Sequence, residues 1–273
     1  MQQVIGGPLD SVVSDWKTRL ALGAAPGIIV VHKFGANAVV GTTEEDVWSV
    51  GGKETLLTTG TTMFVSCEDN VNGVGQIIRV EGLDENWELV SADVVLTGQT
   101  QAQVGATNGW TRIHRAYQVS AEPDPVGDVW IAESDTLTAG VPNTATKIHG
   151  FVDYTDAAQQ TEKAMFTVPA GYRAVMYQFH AEMGDISTGA ARTANVSVEQ
   201  QNLSDTATVA SPSWAPWRRI LGHAIANTAN SEITNLRFPL VFPELTNIHV
   251  RASATASSVI DAEFTLLLLP MPT

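Results

Sequence analysis

The chain has 273 residues, of which 44% are hydrophobic and only 16% are charged, and its net charge is -14. A field of that sign repels nucleic acid and anionic membrane surfaces, so we expect neither as a partner. One cysteine, Cys67, excludes an intramolecular disulfide and a cysteine-based zinc site. The sequence has no apolar run of the roughly 18 residues that a membrane-spanning helix needs. Its first residues lack a basic segment followed by an apolar one, so we expect no signal peptide. We therefore expect it to be made and folded in a cytoplasm.

Residues 1–27 differ in pattern from the rest, and we predict an N-terminal arm with a short helix over residues 8–22. Its apolar side chains share one side at helical spacing: Leu9, Val12, Val13, Trp16 and Leu20. Lys17 and Arg19 lie towards the C-terminal end, where the helix dipole favours cations. Either the helix packs on its own domain or it docks on a neighbouring subunit. Its apolar side chains are therefore candidate partner contacts.

The clearest β-hairpin is predicted over residues 76–99. Ile78 and Val80 alternate with polar residues, which is typical of a strand with one buried face. Turn-prone residues follow at 84–86, and a second alternating run leads to Leu96. The connection is longer than a two-residue turn, so we expect Trp87 to pack at its base.

Short alternating strands separated by Gly, Asn and Thr turns are predicted through the rest of the chain. The run at residues 28–35 should be buried on both faces in its first half and should end at Gly35. A seam rich in Pro and acidic residues follows at 120–125. We predict an all-β fold of two tandem antiparallel β-sandwich domains, residues 28–120 and 121–273, the second jelly-roll-like. The seam could equally join two sheets of one larger domain.

Catalytic and metal-binding patterns are missing from the sequence. The six histidines do not pair at metal-binding spacing, and we find no nucleophile elbow, Walker loop or dinucleotide fingerprint. Acidic residues at 44–46 and 68–69 are expected to be solvated, with a calcium site as the alternative. Cys67 is expected to be buried. We expect no enzymatic activity, no cofactor and no resident metal.

Trp214 and Trp217 flank a Pro within the loop-like region that follows residue 203. Two tryptophans beside a proline can plug a core or present a contact surface to a partner. Both are therefore candidate partner contacts, and both interpretations stay open.

Three segments together resemble virion structural proteins of tailed bacteriophages, of the capsid cement or decoration type. They are VHKFGANAVVGTTEEDVWSVGG (31–52), IIRVEGLDENWELVSADVVLTGQT (77–100) and TVPAGYRAVMYQF (167–179). After the third segment's PAG turn this chain has Tyr172 and Arg173, where a Lys is more usual. The motifs cover the first half of the chain well and the second half at scattered points.

The resemblance implies a structural part of the virion, assembled in the host cytoplasm, and carries no catalytic residues across. The implied partners are the major capsid protein and further copies of the chain, with a trimer as the commonest arrangement. A neck, tail or receptor-binding fibre component is the alternative, and a glycan-active enzyme is a third possibility.

Overall fold

A computed structural model describes residues 27–71, 73–119, 127–154, 159–184, 192–202, 213–226 and 231–271, with backbone alone for 231–235 and 237–238. Leu9, Val12, Val13, Trp16 and Leu20 of the predicted arm lie outside these residues. The described part is all-β, as predicted, and its only helical element is a single 3-10 turn at Ala145–Lys147. No helix in it is long and apolar enough to cross a membrane.

Eighteen strands follow one another along the described chain. The first nine are β1 (Ile29–Val40), β2 (Glu45–Asp46), β3 (Met63–Cys67), β4 (Val74–Leu83), β5 (Leu89–Thr97), β6 (Ala102–Val104), β7 (Arg112–Gln118), β8 (Val129–Glu133) and β9 (Leu137–Thr138). The other nine are β10 (Val141–Pro142), β11 (Ile148–Val152), β12 (Met165–Thr167), β13 (Tyr172–Met183), β14 (Thr193–Gln201), β15 (Arg218–Ala226), β16 (Ser231–Phe242), β17 (Asn247–Ala254) and β18 (Ser258–Pro270).

Eight of these strands form a jelly roll, which we call the jelly-roll sandwich. One sheet has the order β1-β18-β13-β16 and the other β12-β17-β14-β15, with β2 added beside β17. Counted along the chain, the first strand of the eight pairs with the last, the second with the seventh, the third with the sixth and the fourth with the fifth. That nested antiparallel pairing defines a jelly roll, so the prediction of a jelly-roll-like sandwich is confirmed.

Alternating apolar residues build the core of the jelly-roll sandwich. In β18 the residues from Ile260 to Leu268 alternate, and every second side chain is buried between the two sheets. β1 pairs with β18 in continuous register from Ile29 opposite Leu268 to Asn37 opposite Ile260. Val31 and Val40 both pack in this core. They are nine positions apart, so alternation alone would place them on opposite faces, and the register shift between Asn37 and Val40 turns Val40 to the core side.

The second unit lies between β2 and β12 in sequence, and we call it the insert sandwich. Its sheets have the orders β11-β8-β3-β6 and β5-β4-β7. They enclose a separate core that includes Ile78, Val80, Leu96 and Trp110. Cys67, predicted to be buried, has no exposed surface in this core.

The strand pairing departs from the predicted ranges 28–120 and 121–273. β1 lies in the first range but pairs with β18 at the end of the chain. β8 and β11 lie in the second range but extend the sheet of β3. The sandwiches are therefore nested rather than tandem, because a jelly roll needs its first strand beside its last.

Two local predictions have different outcomes. The hairpin at 76–99 is confirmed as β4 and β5, with Leu83 opposite Leu89 and Trp87 buried at its base. The strand at 28–35 was predicted too short and too buried, since β1 continues to Val40 and its first residues are exposed. Gly35 does not end β1. A Cβ there would lie 2.3 Å from the Ala164 amide nitrogen, so the glycine permits a close backbone approach.

Candidate functional site

A cleft of about 380 Å³ lies where the two sandwiches meet. One wall is the start of β1, residues 29–33, and the opposite wall is built from β4, β5 and the His114–Arg115 part of β7. Phe166 and Leu268 also line the cleft. Ile29, Val30 and Leu89 are exposed apolar residues in its lining. The cleft therefore combines an apolar part with polar groups.

Lys33 lies in the lining of the cleft and joins the two sandwiches. Its Nζ donates a hydrogen bond to the backbone oxygen of His114, and the residue is 6% exposed. Burial first, and then the charges of Lys163 and Arg115, lower the pKa of Lys33 to about 7. The buried amine therefore gives up its proton far more readily than an ordinary lysine does.

His114 is the neutral neighbour of Lys33. Its Nε2 accepts a hydrogen bond from the Thr167 amide at 3.1 Å, and its ring lies 4.2 Å from that of Phe166. Burial, and then the charge of Lys33, lower its pKa well below the usual value for histidine. The ring therefore serves as an uncharged acceptor between the two sandwiches.

Behind the cleft, buried charged residues link the two sandwiches, and we call them the ionic seam. Its members are Lys33, Asp46, Glu54, Arg112, His149, Lys163, His249 and Arg251. At its centre the Lys163 Nζ lies 2.5 Å from the Glu54 Oε1, and both side chains are under 5% exposed. The same Nζ donates to the backbone oxygens of Ile113 and His149 at 2.9 and 3.0 Å. The Lys163 amide donates to the Phe34 oxygen of β1 at 2.8 Å. This lysine therefore fastens two strands of the insert sandwich to the jelly-roll sandwich.

The Glu54 carboxylate remains charged in this environment. Burial raises the pKa of Glu54. The charge of Lys163 and a hydrogen bond from His149 lower it by more, so the pKa lies well below the usual range. His149 lies between Glu54 and Glu133, at 3.5 and 3.4 Å. Burial lowers the pKa of His149, but hydrogen bonds to these two carboxylates raise it above the ordinary value overall.

Asp46 forms the second centre of the ionic seam. Its Oδ1 accepts hydrogen bonds from His249 Nδ1 at 3.1 Å and from Arg251 Nε at 3.0 Å. Its Oδ2 accepts from the Glu54 amide at 2.8 Å, which connects the two centres. Burial raises the pKa of Asp46, but the charge and hydrogen bond of His249 lower it overall. Asp46 is fully buried, so the expectation that residues 44–46 are solvated is wrong for this residue.

Arg112 crosses from β7 into the jelly-roll sandwich. Its Nε donates to Thr167 Oγ1 at 3.1 Å and to Asn247 Oδ1 at 3.2 Å, and its Nη1 donates to the Leu57 oxygen at 2.7 Å. The guanidinium lies 4.8 Å from the ring centre of Trp87. These contacts satisfy a buried cation without a carboxylate beside it.

The ionic seam has the residue types of an acid–base site but no room for a substrate. A buried Asp beside a His resembles a general-base pair, yet the His249 ring packs 4.6 Å from that of Trp217. The cavity at the Glu54, Lys163 and His249 side chains has a volume of about 10 Å³, about the space of one water molecule. The ionic seam therefore joins the sandwiches, and the cleft in front of it is one place on the described chain where a ligand or partner can enter.

Trp214 and Trp217, the candidate partner contacts, both pack against other residues of the chain. Trp214 lies edge-on to Trp87 at 5.5 Å, and the Arg251 guanidinium lies 4.0 Å from the ring centre of Trp217. Each is half-buried. These contacts favour the core-plug interpretation, and a contact with a partner through the remaining exposed surface stays a prediction.

The sequence patterns do not predict the ionic seam, because its members are far apart in the chain. Lys163 and Glu54 are 109 residues apart, and His249 and Asp46 are 203 apart. Two members of the ionic seam, Lys33 and Asp46, do lie in the HKFG and EEDVW motifs of the sequence. Within the described ranges, no group of three or more His, Cys, Asp or Glu residues could hold a metal ion.

Comparison with known proteins adds little to this description. No model of a protein family matches the sequence, and no curated protein matches it. A solved structure titled "CBM4 structure and function" is similar at 14% identity, with a TM-score of 0.19, over 53% of this chain and 70% of that chain. A likeness of that size carries no argument about fold or function.

Proposed function

We propose that this protein is a structural component of a tailed-bacteriophage virion, acting as a capsid cement or decoration protein that binds across capsomers and stabilises the head. The observation that carries the proposal is the jelly-roll pairing of its outer eight strands. Jelly rolls occur in viral capsid proteins and in lectins. Fold alone does not determine function, so the proposal also draws on the residues that carry the resemblance to phage proteins.

Those residues have architectural roles in this chain. Lys33 and Asp46 belong to the ionic seam, and Gly35 permits the close approach of the backbone at Ala164. Gly82 lies where a Cβ would come within 1.9 Å of the Arg112 oxygen. Asp84 Oδ1 accepts from the amides of Asn86 and Glu88 at 2.8 and 2.9 Å and so shapes the hairpin loop. Motif residues that maintain a rigid joint are what a structural protein requires.

The partners we propose are the major capsid protein and other copies of this chain, in a trimer. A low fraction of charged residues suits such contacts, because the centres of subunit interfaces are depleted in charge. Many copies in symmetric contact would make individually weak interfaces sufficient.

A second candidate is a neck, tail or receptor-binding component of the virion. The observation that favours it is the cleft, whose volume of about 380 Å³ falls in the range of pockets that hold small ligands.

Copy number per particle distinguishes the two candidates. We would purify virions of the phage that encodes this chain and quantify the chain against the major capsid protein by mass spectrometry with labelled peptide standards. A ratio near one to one supports the cement proposal. A handful of copies per particle contradicts it and favours the neck or tail. Absence from purified particles would overturn both.

A matched binding test uses emptied capsids that have been stripped of this chain. Purified chain should rebind them to saturation and raise the temperature at which they rupture. No rebinding by the wild-type chain would count against a cement role even if the chain were abundant in the particle.

A further inference from the structure

The cleft presents apolar surface close to the point where the described chain begins. Ile29, Val30 and Leu89 are each between 37% and 50% exposed, and all three line the cleft. Ile29 and Val30 come directly after Gly27 and Ile28, at the start of the described residues. Clustered apolar groups on a soluble protein mark a surface that something covers.

The described chain starts beside the cleft. Gly27 is its first residue and has a φ of +81°. Two residues later β1 begins at Ile29, which lines the cleft. Residues 1–26 therefore join the described chain next to the apolar part of the cleft.

The sequence before Pro26 supplies a matching apolar surface. Leu9, Val12, Val13, Trp16 and Leu20 share one side at helical spacing. A helix over residues 9–20 would be about 18 Å long at about 1.5 Å per residue. Leu20 is nine positions before Ile29, so the intervening chain can span up to about 30 Å.

We infer that the cleft binds the apolar side of residues 9–20 of the same chain. Attachment through a short connection gives the segment an effective concentration in the millimolar range, which no separate copy reaches at ordinary protein concentration. Trp16 is the natural anchor, because large aromatic side chains contribute most when they fill a pocket. The inference does not depend on the virion proposal, since it concerns a contact within one chain.

Cysteine cross-linking tests the contact in the full-length chain. In a Cys67→Ser background, we would combine Val12→Cys with Leu89→Cys and treat the protein with a short bismaleimide. The matched control combines Val12→Cys with Val71→Cys, because Val71 is exposed but does not line the cleft. We expect an intramolecular link between residues 12 and 89, with a yield about tenfold above that of the control, because of the high effective concentration.

Mixing chains that each carry one cysteine distinguishes a contact within one chain from a contact between two chains. Chains with Val12→Cys alone are mixed with chains that carry Leu89→Cys alone. Covalent dimers at the yield of the double variant would show that the segment reaches a neighbouring copy, and would overturn the inference. Equal yields for the double variant and the Val71 control would overturn it as well.

A second measurement covers the case in which a cysteine variant does not fold. Trp16→Asp should raise the rate of amide hydrogen exchange at residues 29–31 and 89–91 severalfold, with unchanged exchange in β13 and β17. Lys17→Asp, which changes the polar side of the same segment, is the matched control and should leave these rates unchanged. Unchanged exchange at the cleft in Trp16→Asp would contradict the contact.

Discussion

Two ion pairs in this molecule have the same chemistry and opposite surroundings. Glu54 and Lys163 meet at 2.5 Å inside the ionic seam, where their side chains are 3% and 4% exposed. Arg79 and Asp93 meet at 2.7 Å across β4 and β5, with 40% and 45% of their side chains exposed. The geometry of the surface pair is as good as that of the buried pair, since Arg79 binds both carboxylate oxygens.

The comparison shows that surroundings, and not contact distance, decide what an ion pair does. Water solvates Arg79 and Asp93 almost as well when they are apart, so their pairing adds little to stability. Glu54 and Lys163 have no such alternative, because each would be a buried charge without its partner. The buried pair therefore makes one relative position of the sandwiches much more favourable than any other.

The largest effect is expected for Glu54→Gln. This change leaves the Lys163 ammonium buried without its carboxylate, and should lower the free energy of unfolding by about 3–5 kcal/mol. Urea unfolding followed by tryptophan fluorescence measures it. The double variant Glu54→Gln with Lys163→Met should regain much of the loss, because the uncompensated charge is gone. A Glu54→Gln midpoint equal to that of the wild type would show that the buried pair behaves like a surface pair.

A smaller loss is expected for Asp46→Asn, on the order of 2 kcal/mol. The amide keeps the shape of the carboxylate but removes the charge that faces His249 and Arg251. Arg251 still has Glu199 at 2.8 Å, which limits the loss. Glu44→Gln is the matched control, since that side chain is 30% exposed, pairs with the surface cations Lys53 and Arg219, and lies 3.9 Å from Arg251. A larger loss in the control than in Asp46→Asn would refute this ranking.

Burial of Lys33 makes the free energy of unfolding depend on pH. Its pKa is about 7 in the folded chain against an ordinary value of 10.5. Between those pH values the unfolded chain binds more protons, so raising the pH favours the folded state by up to about 1.4 kcal/mol per pH unit. Lys33→Met should remove that part of the rise. Urea midpoints of both proteins at several pH values between these limits test it, and parallel curves would contradict the shifted pKa.

The smallest effect is expected at the surface pair. Arg79→Ala and Asp93→Ala should each leave the unfolding midpoint nearly unchanged, because both groups are solvated in either state. A double-mutant cycle at low and high salt isolates the pair interaction. A coupling as large as that of Glu54 with Lys163 would invalidate the contrast between the two environments.

The sequence predicts much of the local structure because strand patterns are local. The turn-forming residues Pro169 and Gly171 mark the start of β13, Tyr172–Met183. Trp87 was expected at the base of the hairpin and is found there. The residues that pair across the chain give no such signal. The β1 partner of β18 and the acid that accompanies Lys163 are fixed by tertiary contacts alone.

The nesting of the sandwiches also sets an order for folding during synthesis. All strands of the insert sandwich have left the ribosome once Val152 has emerged, whereas His32 and Thr265, which pair in β1 and β18, are 233 residues apart. At about 5–20 residues per second, β1 waits on the order of ten seconds or more for β18. Contacts between distant residues form slowly, so the insert sandwich can be complete before the jelly roll closes around its two ends. The insert sandwich can therefore be folded before β1 and β18, the first and last strands of the described chain, pair with each other.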